Sequence, residues 1–435
     1  MVSHLLAVRK GEDVMSTMTG NMRRAILSGL AGAVIAVAGV GVARGDVVSD
    51  RAGAILIFPK IIVDTSSGLF GPPTDTEIQI TNTSNSTVAA RCFLVNATSH
   101  CSNAPSTACT TETQATRCPA GGVCIANWNE SDFRMTLTKR QPIEWKVSDG
   151  LPTFPLDGVN KFGPGNQSNK GSDGSPSSIR PVPEDPFIGE LKCVEVDPSD
   201  FTPTAGFDPA NNGGGDLKGE ATIVSATTDV GTTPTVDARK YNGIGLESTT
   251  VNDKNDTLIV GGPGAEYNGC PNVIIMNHLF DNSTVVTHGG NVSGTIFSDL
   301  TVVPCSEDFR LQENNLGGAT LQFLVFNEFE QRFSTSTSFS CFREVRLSDI
   351  DTRPGPTGDS QSIFNVAVEG TLGGQTRIRA VAGPNRANGV LAIAESFWSS
   401  TTTAAPGARF SAAVNTHFTG SRDASDQIIL SPDLP

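Results

Sequence analysis

In the stretch FNEFEQRF the carboxylates of Glu328 and Glu330 stand two residues apart. On an extended strand that spacing puts both on one face, with backbones about 6 to 7 Å apart. Paired carboxylates are what glycoside hydrolysis requires, one as acid and the other as base or nucleophile, so a secreted glycosidase-like hydrolase is one reading. The competing reading is the acidic wet face of an ordinary strand. His278, Asp281 and His288 lie close along the chain and offer two imidazoles and a carboxylate, a donor set that suits a divalent metal. Two loop histidines beside a turn aspartate would look the same. No histidine is followed by the glutamate of a zinc helix motif. Neither a G-x-S-x-G elbow nor a G-x-x-x-x-G-K-[ST] loop occurs. On balance the sequence leans away from catalysis.

Asp253, Asn255 and Asp256 in VNDKNDTLIVGGPG have the oxygen-rich composition of a calcium loop. The run from Asp256 to Gly264 resembles a single glycine-rich calcium repeat of secreted β-rolls, a resemblance that implies calcium. Such rolls share each ion between successive turns, and here there is one copy. Asp349 and Asp351 in SDIDTRPG form a second oxygen-rich turn. No cofactor is required by the sequence, and calcium is the one it leaves open. Trp128 and Trp145 flank one pair of strands, but Trp145 alternates with Ile143 and Val147 and so belongs to a core rather than a sugar platform.

Nine cysteines in an exported chain read as a disulfide framework with at least one sulfur left over. Cys101, Cys109, Cys118 and Cys124 fall in one Ser/Thr-rich excursion, too poor in apolar residues to hold itself together without bridges. Their spacing is too wide for the close pairs of a structural zinc site. The CPAGGVC end resembles the C-P-x-G-x-x-C turns of small cysteine-rich modules in secreted bacterial proteins. Cys270 opens one strand and Cys305 closes the next. If these pair antiparallel around NSTVVTHGGNVSG the two sulfurs meet, and the bridge stabilises by roughly 4 kcal/mol in the chain-entropy model. Cys341 is left as the odd thiol.

The elements that must position these groups are strands. In TEIQITNTSNSTVAARCFLV, Ile78 and Ile80 fall on one face of an extended segment, and Val88, Ala90, Cys92 and Leu94 fall together after a polar turn. This predicts two consecutive strands of one sandwich wall. AGAILIFPKIIV reads as a strand buried on both faces with Pro59 at an edge or bend. Alternation recurs at Phe133, Met135 and Leu137 and at Ile143, Trp145 and Val147, and short strands resume in the runs 186–196 and 217–226. Residues 150–186 are a long flexible surface loop rich in Gly, Pro, Ser and Asn. About seven strands with turns between them resemble the immunoglobulin-like β-sandwich modules of bacterial secreted proteins. A second series runs through 240–435. The fold class expected is therefore all-β, with two antiparallel β-sandwich domains, 46–230 and 240–435, the first carrying the Cys-rich insertion 97–127. By analogy with a bridge between two sheets, the resemblance pairs Cys92 with Cys193.

Arg23 and Arg24 precede nineteen nearly all apolar residues and then small ones up to Gly45, the pattern of a secretory signal over residues 1–45. The expected location is the periplasm, cell surface or medium, with no membrane span once the signal is removed. The first 45 residues carry a net +3, so their removal takes the formal charge from −14 to −17. Such a surface repels phosphate backbones, so nucleic acid is excluded as a partner. The function expected is that of a structural, adhesive or ligand-binding protein of the cell envelope, meeting an unidentified protein or glycan at the cell surface.

Overall fold

Thr74–Asn82 obeys the alternation expected of it: Thr74, Thr76, Ile78, Ile80 and Asn82 are buried and the residues between them half-exposed. The computed structural model describes residues 51–431 apart from 151–178, 200, 204–206, 209–212, 229–233, 250–254, 287–292, 311–317, 353–360, 382–387 and 402–408. The signal reading of residues 1–45 and most of the loop expected over 150–186 lie outside the described residues. The protein is nearly all-β, built of several antiparallel sheets and disulfides, and among the described residues three single-turn helices occur, at Gln114–Arg117, Leu347–Ile350 and Val366–Glu369. Arg44–Pro435 forms one compact unit.

One sheet runs in the order Ile244–Leu246, Ile55–Val63, Phe187–Val196, Val88–Asn96, Asn129–Leu137. A four-stranded sheet, Pro234–Asn242, Leu217–Thr228, Thr74–Asn82, Pro142–Lys146, shares a core with it. The strands on either side of the Asn/Ser turn therefore lie in two different sheets rather than side by side in one wall. The reason is pairing. Thr74–Asn82 bonds to Leu217–Thr228 and Pro142–Lys146, whereas Val88–Asn96 bonds to Phe187–Val196 and Asn129–Leu137. Every residue of Ile55–Val63 is buried. Pro59 sits where the register against Phe187–Val196 shifts, and the other neighbour reaches only Ile55 to Ile57, so no ladder bond there needs its missing N–H.

In the later half, Arg332–Phe339, Ala319–Asn327, Gly373–Val381, Pro271–Leu279 and His417–Ser421 form one sheet. Ser283–Val286, Ser293–Pro304, Val390–Ser400 and Arg409–Asn415 form another, with Arg343–Arg346 also paired to Ser293–Pro304. A third apolar cluster, including Ile274, Met276, Leu300, Val302 and Phe323, lies between them. The ribbon expected between the strands after Cys270 and before Cys305 does not form. Pro271–Leu279 pairs with Gly373–Val381 and His417–Ser421, and the chain turns at Asn282 to give Ser293–Pro304 to the opposite sheet. The Cys270–Cys305 disulfide joins strand ends of different sheets. Cys92–Cys193, by contrast, lies within one sheet, because those residues are direct partners on adjacent strands with Cα atoms 4.0 Å apart. Disulfides also join Cys101 to Cys118 and Cys109 to Cys124, and Cys341 keeps its thiol.

Candidate functional site

The strands Val88–Asn96 and Asn129–Leu137 are paired to their ends, Asn96 against Asn129 and Val95 against Glu130. The Cys-rich excursion leaves and re-enters between those two ends. It folds into a small sheet of Ala104–Ala108, His100–Cys101 and Cys124–Ile125, and its two disulfides supply the cross-links that its sparse apolar content cannot. His100 anchors this flap to the body through Glu184, with Nε2 2.8 Å from Oε2. At the flap's base a small recess is lined by Val95, Trp128, Asn129, Glu130, Glu307, Asp308 and Phe309.

Its back wall is a buried charge cluster. Lys192 lies in a strand whose every residue is buried, and its ammonium donates to Glu190 Oε1 at 2.6 Å, to Glu307 Oε2 and to the Pro304 carbonyl at 3.3 Å. Burial opposes the charge on Lys192, but Glu190 and Glu307 more than offset it and hold the amine above its ordinary value. Burial pushes the Glu190 carboxyl well up, against the pull of Lys192. Glu307 is 3% exposed, and both Lys192 and the Glu190 carboxyl hydrogen-bond it. Beside it, Arg310 hydrogen-bonds both oxygens of Asp308 at 2.8 Å and holds that carboxyl below its usual range. Phe309 stacks on Phe93 with ring centroids 4.2 Å apart, fixing the aromatic wall.

A second buried cluster ties the two halves of the chain together. Lys60 donates to Glu344 and Glu395, and Arg239 meets Glu395 at 2.5 Å and Ser225 at 3.0 Å. Burial, with Glu344 nearby, pushes Asp299 up to about 7.

The residues singled out in the sequence lie elsewhere. Glu328 and Glu330 do not share a strand face. They occupy the exposed hairpin tip between Ala319–Asn327 and Arg332–Phe339, Glu330 with φ 61°. Asn327 Oδ1 makes that turn by accepting the N–H groups of Phe329 and Gln331, each at 3.0 Å, and Glu328 accepts from Gly373 N. Turn chemistry overrides the alternation here. His278 is buried, with Nε2 2.8 Å from Thr376 Oγ1 and its ring edge-on to Phe280. Burial takes it down to about 4. Asp281 accepts the N–H groups of Ser298 and Ser348 at 2.8 and 2.9 Å, tying a strand to a helical turn. Asn255 Oδ1 accepts from Thr257 N, and Asp256 lies 3.4 Å from Arg91. Asp253 and His288 lie outside the described residues.

Among the described residues, groups of three ligand atoms within 4.8 Å occur at Cys101, Cys109 and Cys118 and at Cys270, Cys305 and Asp426. All of those sulfurs are committed to disulfides, which do not ligate as thiolates. Glu190, Lys192, Glu307 and Lys60 went unnoticed in the sequence. The available signal was opposite charges at i and i+2 inside FIGELKCVEV, and a lysine inside IFPKIIV, where unpaired charge could not be buried. No protein-family model, curated protein or solved structure matches this chain.

Proposed function

We propose that the chain is an exported, non-catalytic binding protein of the cell envelope, with its ligand seated at the base of the Cys-rich flap. The observation that supports this most is the recess itself. Trp128 and Phe309 wall it, Glu130, Glu307 and Asp308 border it, and it lies at the root of a flap held by two disulfides. Rigid scaffolds carry recognition on such excursions. No helix of the described residues is long and apolar enough to cross a membrane. The −17 charge after removal of 1–45 favours cationic or neutral ligands over nucleic acid.

The reading is tested by presenting arrayed glycans, peptides and small amines to the full chain and to Glu307→Gln, while assaying the same compounds for turnover. Compounds retained by the unaltered chain and released by the variant support it. Turnover of any retained compound would overturn the non-catalytic reading, and retention indifferent to Glu307→Gln would overturn the site.

A further inference from the structure

We infer that Lys192 and Glu307 condense in the folded chain to an amide between Nζ and Cδ, with Glu190 relaying the protons. The bond joins positions 115 residues apart. The frame around them holds both reacting groups in place. Lys192 and Glu190 stand at i and i+2 on one face of Phe187–Val196, and the Lys192 ammonium touches the carboxyls of both Glu190 and Glu307. That strand is hydrogen-bonded on both sides, to Ile55–Val63 and to Val88–Asn96. Glu307 follows closely on Cys305, which is fixed by its disulfide to Cys270. Groups held in contact by such a frame react as though at very high concentration.

The surroundings are dry. Across the sheet Lys192 is paired with Ile57 and Phe93, and Glu190 with Val95, all buried members of one apolar cluster. The Glu190 carboxyl hydrogen-bonds that of Glu307, which two ionised carboxylates cannot do. The pair therefore shares one proton, and with the Lys192 ammonium the cluster is neutral as a whole. Condensation replaces a buried ion pair, costly to keep out of water, with a neutral amide.

The Lys192 ammonium passes one proton to the Glu307 carboxylate, which leaves a neutral amine and a neutral acid. The amine lone pair attacks Cδ and the N–C bond forms. The C–O bond breaks as Glu190 protonates the departing hydroxyl, and Glu190 recovers a proton from the nitrogen. One water is released, and the recess bordered by Glu307 has room for about one. The product is satisfied, because the remaining N–H has the Pro304 carbonyl, 3.3 Å from Nζ, and the new carbonyl accepts from Glu190. Lys60 also touches two carboxylates, but there Arg239 brings a second cation to Glu395, and the Glu344 side chain is 26% exposed. Two cations on two carboxylates leave no shared proton, so no amide forms at Lys60.

The test is mass spectrometry of the full chain, purified folded and then denatured and reduced, followed by a tryptic map. A mass one water below that of the sequence, and a peptide pair joined through Lys192 and Glu307 with no cleavage after Lys192, is the expected result. Glu190→Gln, which cannot relay a proton, lowers the joined fraction at least tenfold, and Lys192→Arg removes it. Separate Lys192 and Glu307 peptides from a chain of full mass overturn the inference. A water loss that maps to any other pair, Lys60 with Glu344 or Glu395 included, overturns it as well. A joined fraction unchanged in Glu190→Gln overturns the relay. If either variant fails to give the circular dichroism of the parent, the map of the unaltered chain decides the bond alone.

Discussion

Replacing Glu195 by glutamine should leave the protein nearly as stable in acid and make it markedly more stable in alkali. Glu195 is 4% exposed in the strand Phe187–Val196, with Oε2 accepting the Asp216 N–H at 2.9 Å. Burial pushes its carboxyl from 4.5 up to about 8, the Asp216 N–H opposing and the Asp216 charge assisting. A folded value above the unfolded one means that the native state holds its proton longer. Stability is therefore full below about 4.5, falls as pH rises through the interval, and levels above about 8. At 1.36 kcal/mol per unit, the shift corresponds to about 5 kcal/mol, reduced to about 2 to 4 by relaxation and water entry. Glutamine keeps the acceptor oxygen and cannot ionise, so it escapes that loss. Urea denaturation of both proteins at pH 4.5 and 8.5, in a Cys341→Ser background to prevent thiol exchange, measures the difference. A glutamine advantage that does not grow between the two pH values would refute the reasoning, as would a parent that gains on the variant in alkali.

Lys60→Met should destabilise by about 3 to 5 kcal/mol, because it strips the buried Glu395 and the half-buried Glu344 of a shared cation. Adding Glu344→Gln should recover part of that loss in the same denaturation assay, and no recovery would mean that packing, not charge, is responsible. His278 has a folded value of about 4, below its ordinary 6.5, so the stability it lends is present above 6.5 and lost as pH falls toward 4. His278→Gln should lack up to about 3 kcal/mol of that acid-side loss, read from thermal midpoints between pH 7 and pH 4, and parallel curves for the two proteins would count against it.

How far the fold could be read from the chain depended on what each pattern encodes. Alternation in TEIQIT reports which face of Thr74–Asn82 is wet, and the burial of Ile78 and Ile80 follows from it. It carries no information about the partner strand, so the placement of Thr74–Asn82 and Val88–Asn96 in different sheets was invisible. Strands buried on every residue, such as Ile55–Val63 and Phe187–Val196, give no facial signal at all. Their charged members looked like surface because the compensating partners, Glu344 and Glu395 for Lys60 and Glu307 for Lys192, lie more than a hundred positions away. The recess was illegible for the same reason: Trp128 and Glu307 meet only through tertiary packing. At Glu328 and Glu330 the clue was present in Asn327, a residue whose side chain turns its own backbone and so outweighs alternation.

The two buried lysines suggest why a long chain of short strands settles on one arrangement. Apolar clusters tolerate sliding, since any oily face packs acceptably against another. A buried ammonium does not, because displacing it leaves carboxylates without a counter-charge at several kcal/mol each. Lys60 ties Ile55–Val63 of the first sheet to Glu395 on Val390–Ser400 and Glu344 on Arg343–Arg346, and Lys192 ties the neighbouring central strand, Phe187–Val196, to Glu307. We read these contacts as register pins between layers, a role that partial recovery in Lys60→Met with Glu344→Gln should preserve in energy but not in uniqueness of packing. Broadened amide signals in that double variant at restored stability would show it, and a sharp, dispersed spectrum would argue against it. At Lys192 the pin serves two carboxylates with one cation, whereas at Lys60 Arg239 brings a second cation to Glu395.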